Sequence, residues 1–275
     1  MWPGPTAVTV LAFSVAAMAV LPGAAPDQQP GLRPGWPCNG RPDPSYFRIA
    51  EGSGGQFFFF HPSEVADSGA LMAAAMSHGA TVLRAGGQLA TGLHEFPVPV
   101  DRVDSLLFSL SVQCLQVAEI VRPSGAGLQA ADPGVEYHQY EAGRIVTVLQ
   151  PDPGEWRVRM SGTRLFLITV QAKAELSIEA PRFVPEGPLQ AGLARVLRFS
   201  ARTDAQDVHA RLVTQGFQDM AAIPLRIVRD ETGEDFVGDL VLPARPFRLV
   251  VTGRDADGLP FQRVHAPLFD PAPRK

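Results

Sequence analysis

Glycine and proline interrupt this chain almost everywhere. Its 275 residues hold 26 of each, spread from end to end rather than clustered. Proline breaks helix interiors and central strands, and glycine weakens both kinds of element. Spread this way, they leave short apolar runs between turns, the pattern of an all-β protein. Hydrophobic residues make up 45% and charged residues 19%, a globular balance. At about 150 residues per domain the length predicts two cores.

The runs can be placed. Residues 103–112 and 115–121 read as strands, ended by the turn sequence Arg122-Pro123-Ser124-Gly125. Residues 144–149 follow. Residues 155–160 alternate cleanly, with Trp156, Val158 and Met160 on one face and Arg157 and Arg159 on the other. Residues 165–170 and 174–178 complete a first sheet. The proline-rich stretch 181–188 marks a domain boundary. Beyond it, strands are expected at 194–200, 208–214, 223–230, 235–240, 247–251 and 262–264, with a hairpin connection at 253–258.

The first 80 residues differ. Residues 7–20 are an uncharged apolar run, too short to span a bilayer comfortably but the right length for a signal-peptide core. Ala17-Met18-Ala19 supplies a small-x-small cleavage site, although no Lys or Arg precedes the run. Residues 1–25 are therefore expected to be a signal peptide of an exported protein, with an uncleaved anchor as the alternative. Residues 26–45, rich in Pro, Gly and polar side chains, read as a linker. A strand at 56–60 and a helix from Pro62 to His78, stopped by Gly79, follow. Val65, Met72 and Met76 recur near helical spacing and are expected to pack onto the strand. That strand contains Phe57, Phe58, Phe59 and Phe60, so it presents rings to both faces. It reads first as a strand buried between layers, and alternatively as an exposed edge that docks a partner by strand addition.

Chemistry-bearing motifs are sparse. The formal charge of −4 and the scattered Lys and Arg speak against a nucleic-acid partner. Neither a Gly-x-Ser-x-Gly elbow, a His-Glu-x-x-His helix nor a Walker-type loop occurs. His61, Ser63 and Asp67 lie near one helix start, where capping explains them better than a triad does. Asp255-Ala256-Asp257-Gly258 begins like a calcium loop, yet Leu259-Pro260-Phe261 brings no carboxylate to the bidentate position. Glu95, Asp101 and Asp104 read as solvated loop charges. The competing enzyme reading is a hydrolase assembled from His94, Asp101 and His138, which requires those side chains to converge. Cys38 and Cys114 fit an oxidising compartment, either as a disulfide or as two thiols. No cofactor or metal site is expected.

Three stretches, in order, resemble the region that follows the von Willebrand factor A domain in hemicentins and related A-domain proteins. Residues 49–64 (IAEGSGGQFFFFHPSE) are similar to the last strand and helix of such an A domain. Residues 154–162 (GEWRVRMSG) are similar to a strand of the galactose-binding-like sandwich that comes next. Residues 249–264 (LVVTGRDADGLPFQRV) resemble the closing hairpin of the family's immunoglobulin-like module. The Asp-x-Ser-x-Ser motif of metal-dependent adhesion is missing. The resemblance implies a mainly β chain: an A-domain-like remnant at 46–80, a galactose-binding-like sandwich at 81–180 and an Ig-like sandwich at 181–272. The galactose-binding-like label names a fold and does not imply sugar binding. The expected function is a non-enzymatic binding, adhesion or scaffold protein, periplasmic or extracellular, that engages a protein or glycan.

Overall fold

The computed structural model describes residues 17–18, 38, 40, 42–202, 205–230 and 233–273. Most of the expected signal peptide and linker lies outside them. The protein is mainly β, built as two antiparallel sandwiches with a short helical segment laid on the first. At the N-terminal side, β1 (Ala17–Met18) pairs in parallel with β2 (Phe57–Phe58). Between them runs α1 (Pro44–Ser53), a helix the sequence reading does not assign and whose first two residues fall in the expected linker. Its signals are nevertheless present. Asp43 caps it by accepting from the Ser45 N–H, Pro44 opens its first turn, and Gly54 closes it at φ 74°.

The first sandwich contains β3 (Ala80–Leu89), β4 (Leu93–Val100), β5 (Ser105–Val121), β6 (Val135–Tyr140), β7 (Gly143–Leu149) and β8 (Gly154–Lys173). The strand order is β3-β8-β5-β7-β6, and β4 also pairs with β8. Two strands carry it. β5 and β8 pair from Ser105↔Lys173 to Val121↔Arg157, while β3 and β4 share the other edge of β8 end to end. The sequence reading divided each long strand in two, at 112–115 and at 160–165, and the physical reason is a bend. Phe108 sits opposite Val170 in the ladder, and a straight strand would hold Val170 about 46 Å from Trp156. Instead the Phe108 and Trp156 rings lie 5.9 Å apart, so the sheet doubles back on itself. Register shifts at Val112/Cys114 and Leu115/Val117 mark the fold line. Gly162 faces it: a Cβ there would stand 2.4 Å from the Cys114 carbonyl oxygen. It is a close-approach glycine inside a strand, in the gap the sequence reading leaves between 160 and 165.

The doubled sheet encloses Trp156, Val158, Met160, Phe108, Leu106, Val146 and Ile168, all at most 0% exposed. Its outer face is roofed by the helical segment. Phe57 and Phe59 pack with Phe47, Ala50 and Leu167. Phe58 and Phe60 pack with Leu107, Ile145 and Tyr140. A 3-10 turn (Pro62–Asp67) and α2 (Ser68–Ser77) cover the second group through Val65, Ala74 and Ala75. Met76 was expected there but points to solvent, 71% exposed, because alanines at 74 and 75 already fill the contact face. The Met72 side chain lies outside the described residues. Cys38 and Cys114 are bridged, which ties the segment ahead of α1 to the fold line.

The second sandwich begins earlier than its proline-rich joint, since Leu176 already belongs to its core. It comprises β9 (Ser177–Ile178), β10 (Arg182–Val184), β11 (Ala194–Phe199), β12 (Ala201–Arg202), β13 (Gln206–Val213), β14 (Asp219–Ile223), β15 (Leu225–Asp230), β16 (Gly233–Val241), β17 (Arg248–Arg254) and β18 (Pro260–Val264). One sheet has the order β10-β11-β16-β15 and the facing sheet β14-β13-β17-β18, while β9 pairs with β12 at the side. Leu197, Phe199, Phe236, Leu249, Val251 and Phe261 fill the space between them.

Candidate functional site: the seam between the sandwiches

The two sandwiches do not hang on a linker. The outer face of β13, β17 and β18 presents Val213, Val250 and Val264, which pack together with Phe217 against the first module. Beside this apolar patch, the free edge of β3 is satisfied by the second module. The Gln262 amide donates to the Val82 carbonyl at 2.8 Å, and the Gly86 N–H donates to the Gln215 carbonyl at 2.9 Å. An edge strand needs such partners when it is buried.

Charged side chains are sealed into the same seam. Arg263 on β18 donates from Nη1 and Nη2 to the two Asp101 oxygens at 2.9 and 2.6 Å, and from Nε to the Leu176 carbonyl. Their side chains are 3% and 2% exposed. A second cluster joins three parts of the chain. Glu51 of α1 accepts from Arg248 of β17 at 2.5 Å and pairs with Arg84 of β3 at 3.2 Å. Arg84 also donates to the carbonyls of Ala50, Gly54 and Gly55 and to the Thr169 hydroxyl. Burial pulls the Arg84 guanidinium down to about 10, Glu51 opposing the shift and Arg248 adding to it. Arg248 is lowered by burial as well. Next to it, burial and then the Arg248 charge push His265 down to about 4, its ring stacked 4.8 Å from Phe269. The histidine is neutral at pH 7.

Where the seam reaches the surface it opens into a cleft of about 710 Å³ walled by loops of both modules. Asp101 forms part of the wall but is neutralised by Arg263. The remaining carboxylates are Asp104, Asp152, Glu175, Asp255 and Asp257, set against Arg102 and Lys173. Five negative and two positive groups leave a formal −3 in one cleft, in a chain whose whole formal charge is −4. Arg102 pairs with Asp257 at 3.1 Å across the two modules, and Lys173 with Asp104 at 3.5 Å. Asp255 is spent internally: its Oδ1 accepts from the Asp257 and Leu259 N–H groups and shapes the hairpin. That is turn chemistry. Among the described residues no cluster of His, Cys, Asp and Glu is arranged to hold a metal ion.

The other residues singled out in the sequence lie apart from this cleft. The four phenylalanines are interior, between 1% and 8% exposed, so their rings are not an open docking surface. His61 is an N-cap whose side chain accepts from the Ser63 N–H, while Glu64 reaches back to the His61 N–H. Ser63 Oγ sits 2.7 Å from His61 Nδ1, and the Asp67 side chain lies outside the described residues. Glu95 accepts from Arg159 at 2.6 Å, which holds its carboxyl below the usual range. The hydrolase trio is not assembled. His94 meets the Ala90 carbonyl, Asp101 is committed to Arg263, and His138 pairs with Glu136. Sequence reading missed Glu51, Arg84, Arg248 and Arg263. Their only signal was a charged residue at a position whose strand or helix neighbours are apolar.

No family model matches the chain, and no curated protein matches it. Among solved structures it is similar to a Bacillus licheniformis lipase in its propeptide form. The identity is 14% and the TM-score 0.32, over 67% of this chain and 40% of that one. A β-1,2-glucanase from Parabacteroides distasonis is similar at 10% identity and a TM-score of 0.23, over 66% of this chain and 31% of that one. This chain therefore spans less than half the length of either, and likeness at this level carries no argument about function.

Proposed function

We propose that the protein is an exported, non-catalytic binding scaffold that receives a cationic segment of a partner protein in the acidic cleft between its two sandwiches. The observation that carries this reading is the concentration of uncompensated carboxylates in a concave site built from both modules. Clefts of one sign focus field lines and raise the local concentration of oppositely charged ligands. The Cys38–Cys114 bridge suits an oxidising compartment outside the cytoplasm. The strand orders β10-β11-β16-β15 and β14-β13-β17-β18 match first-second-fifth-fourth and third-sixth-seventh sheets of an immunoglobulin-type sandwich with one added edge strand. They support the Ig-like reading of the second module and, with it, kinship to the region after the A domain of hemicentin-like proteins.

The test is calorimetric titration of the purified chain with a lysine-rich peptide. Binding is expected to weaken steeply with salt. It should fall further in Asp152→Asn/Glu175→Gln, whose side chains form no ion pair among the described residues. Binding unaffected by these substitutions would remove the cleft as the site. Capture of a neutral glycan with the same indifference would favour a carbohydrate ligand bound elsewhere.

A further inference from the structure

The chain changes sheets at Pro224. β14 ends at Ile223 and β15 begins at Leu225, so the two form one strand that crosses between the sheets of the second sandwich. A glycine admits the crossing. A Cβ on Gly238 of β16 would stand 2.5 Å from Ile223 Cγ2 and 2.9 Å from the Pro224 carbonyl oxygen. From this corner β15 pairs with β16 only over Gly238 to Gly233. Asp239, Leu240 and Val241 have no β15 partner, and the side of the sandwich is open below the corner.

The opening leads to a hollow of about 380 Å³ that shares no residue with the acidic cleft. Leu212, a buried core residue of β13, lines it. Ala221 has the phase of buried Ile223, two residues on, and so faces the interior. It is nevertheless exposed, because the hollow lies in front of it. Met220 is the extra residue of a bulge, since Leu212 pairs with Ala221 and Val213 with Asp219. Bulges re-aim side chains, and this one sets Met220 against the sandwich core beside the hollow.

A single charge meets this apolar lining. Arg245, exposed at the rim, has no hydrogen-bond or ion-pair partner among the described residues. The acids that flank the lining in sequence are spent, Asp219 on Arg211 and Asp239 on Arg226. The backbone of the Val241–Pro243 wall is closed to a peptide. Leu242 donates to the Leu193 carbonyl and accepts from the Gly192 N–H, and Pro243 has no N–H.

We infer that the hollow binds a single-chain anionic amphiphile, a fatty-acid carboxylate, with its head on Arg245 and its tail over Met220, Ala221 and Leu212. A guanidinium fork matches a carboxylate with two parallel bonds. Apolar walls with one orienting polar group, in a volume of about 300–1,000 Å³, are the makeup of a small-molecule site.

Calorimetric titration of the full chain with decanoate, below its micelle concentration, tests this. Decanoate is expected to bind, and decanol about tenfold or more weaker, because it brings no charge to Arg245. Arg245→Gln should weaken decanoate by the same factor and leave decanol unchanged. Ala221→Phe should fill the hollow and abolish binding of both, in a protein whose cooperative urea transition shows that it still folds. Absence of decanoate binding overturns the inference, and so does binding indifferent to Arg245→Gln or to a folded Ala221→Phe. Attachment to phosphatidylglycerol vesicles without any response to free decanoate would make the hollow a membrane contact and overturn it as well.

Discussion

Arg263 and Asp101 form a two-point ion pair across the sandwiches, at 2.9 and 2.6 Å, with neither side chain more than 3% exposed. Such a pair is poor evidence of net stability, because taking both charges out of water offsets most of their attraction. Its consequence is geometric. Each partner is costly without the other, so the two modules are held in one arrangement, and the cleft between them keeps its shape.

Asp101→Asn should therefore destabilise the whole protein by about 3–5 kcal/mol, since it strands a buried guanidinium. Urea unfolding followed by circular dichroism measures this. Asp101→Leu/Arg263→Met should cost less than Asp101→Asn alone, because no uncompensated charge remains. Equal losses in the two variants would mean that packing, not charge, is what Asp101 supplies.

His265 makes stability fall on the acid side. Its folded value of about 4 lies below the ordinary 6.5, so between those values the unfolded chain takes up a proton that the folded chain refuses. The contribution is complete above about pH 6.5, declines as the pH drops toward 4, and amounts to about 3 kcal/mol at most. Arg248, which faces the ring, stays charged throughout. Carboxylates held below their usual range, Glu95 by Arg159 and Asp132 by the Gln129 N–H, begin to lose their contribution as the pH falls through their ordinary values of 4.5 and 3.8. His265→Gln should flatten the urea midpoint between pH 6.5 and 4. A slope unchanged in that variant would assign it to another group.

Trp156→Ala should cost about 3–5 kcal/mol. The side chain is fully buried in the doubled sheet, against Phe108 on one side, with its indole N–H donating to the Asp152 carbonyl at 2.8 Å. A smaller loss in chemical denaturation would mean that the surrounding strands collapse into the vacancy.

Much of the β architecture was legible because strand periodicity is local. The alternation of residues 155–160 placed Trp156, Val158 and Met160 in the core, and all three are 0% exposed. The four phenylalanines read as a strand covered on both faces; all four are buried, but only Phe57 and Phe58 pair as a strand. The joins were less legible. Glycine at 162 looks like a turn residue in one dimension, and only the nearby Cys114 carbonyl reveals why a strand needs it there. Helix α1 was hidden by its shortness, despite an Asp-Pro start and a glycine stop.

What the sequence determined by itself was the class of structure, since glycine and proline spacing and period-two runs depend only on neighbours along the chain. What only the tertiary structure decided was the seam. Glu51, Arg84 and Arg248 lie far apart in sequence, and Asp101 and Arg263 are separated by most of two domains. No local pattern distinguishes an arginine that will be sealed beside a carboxylate from one that will stay in water. That difference arises when two modules close on each other, because desolvation and pairing are properties of the packed interface rather than of the residue.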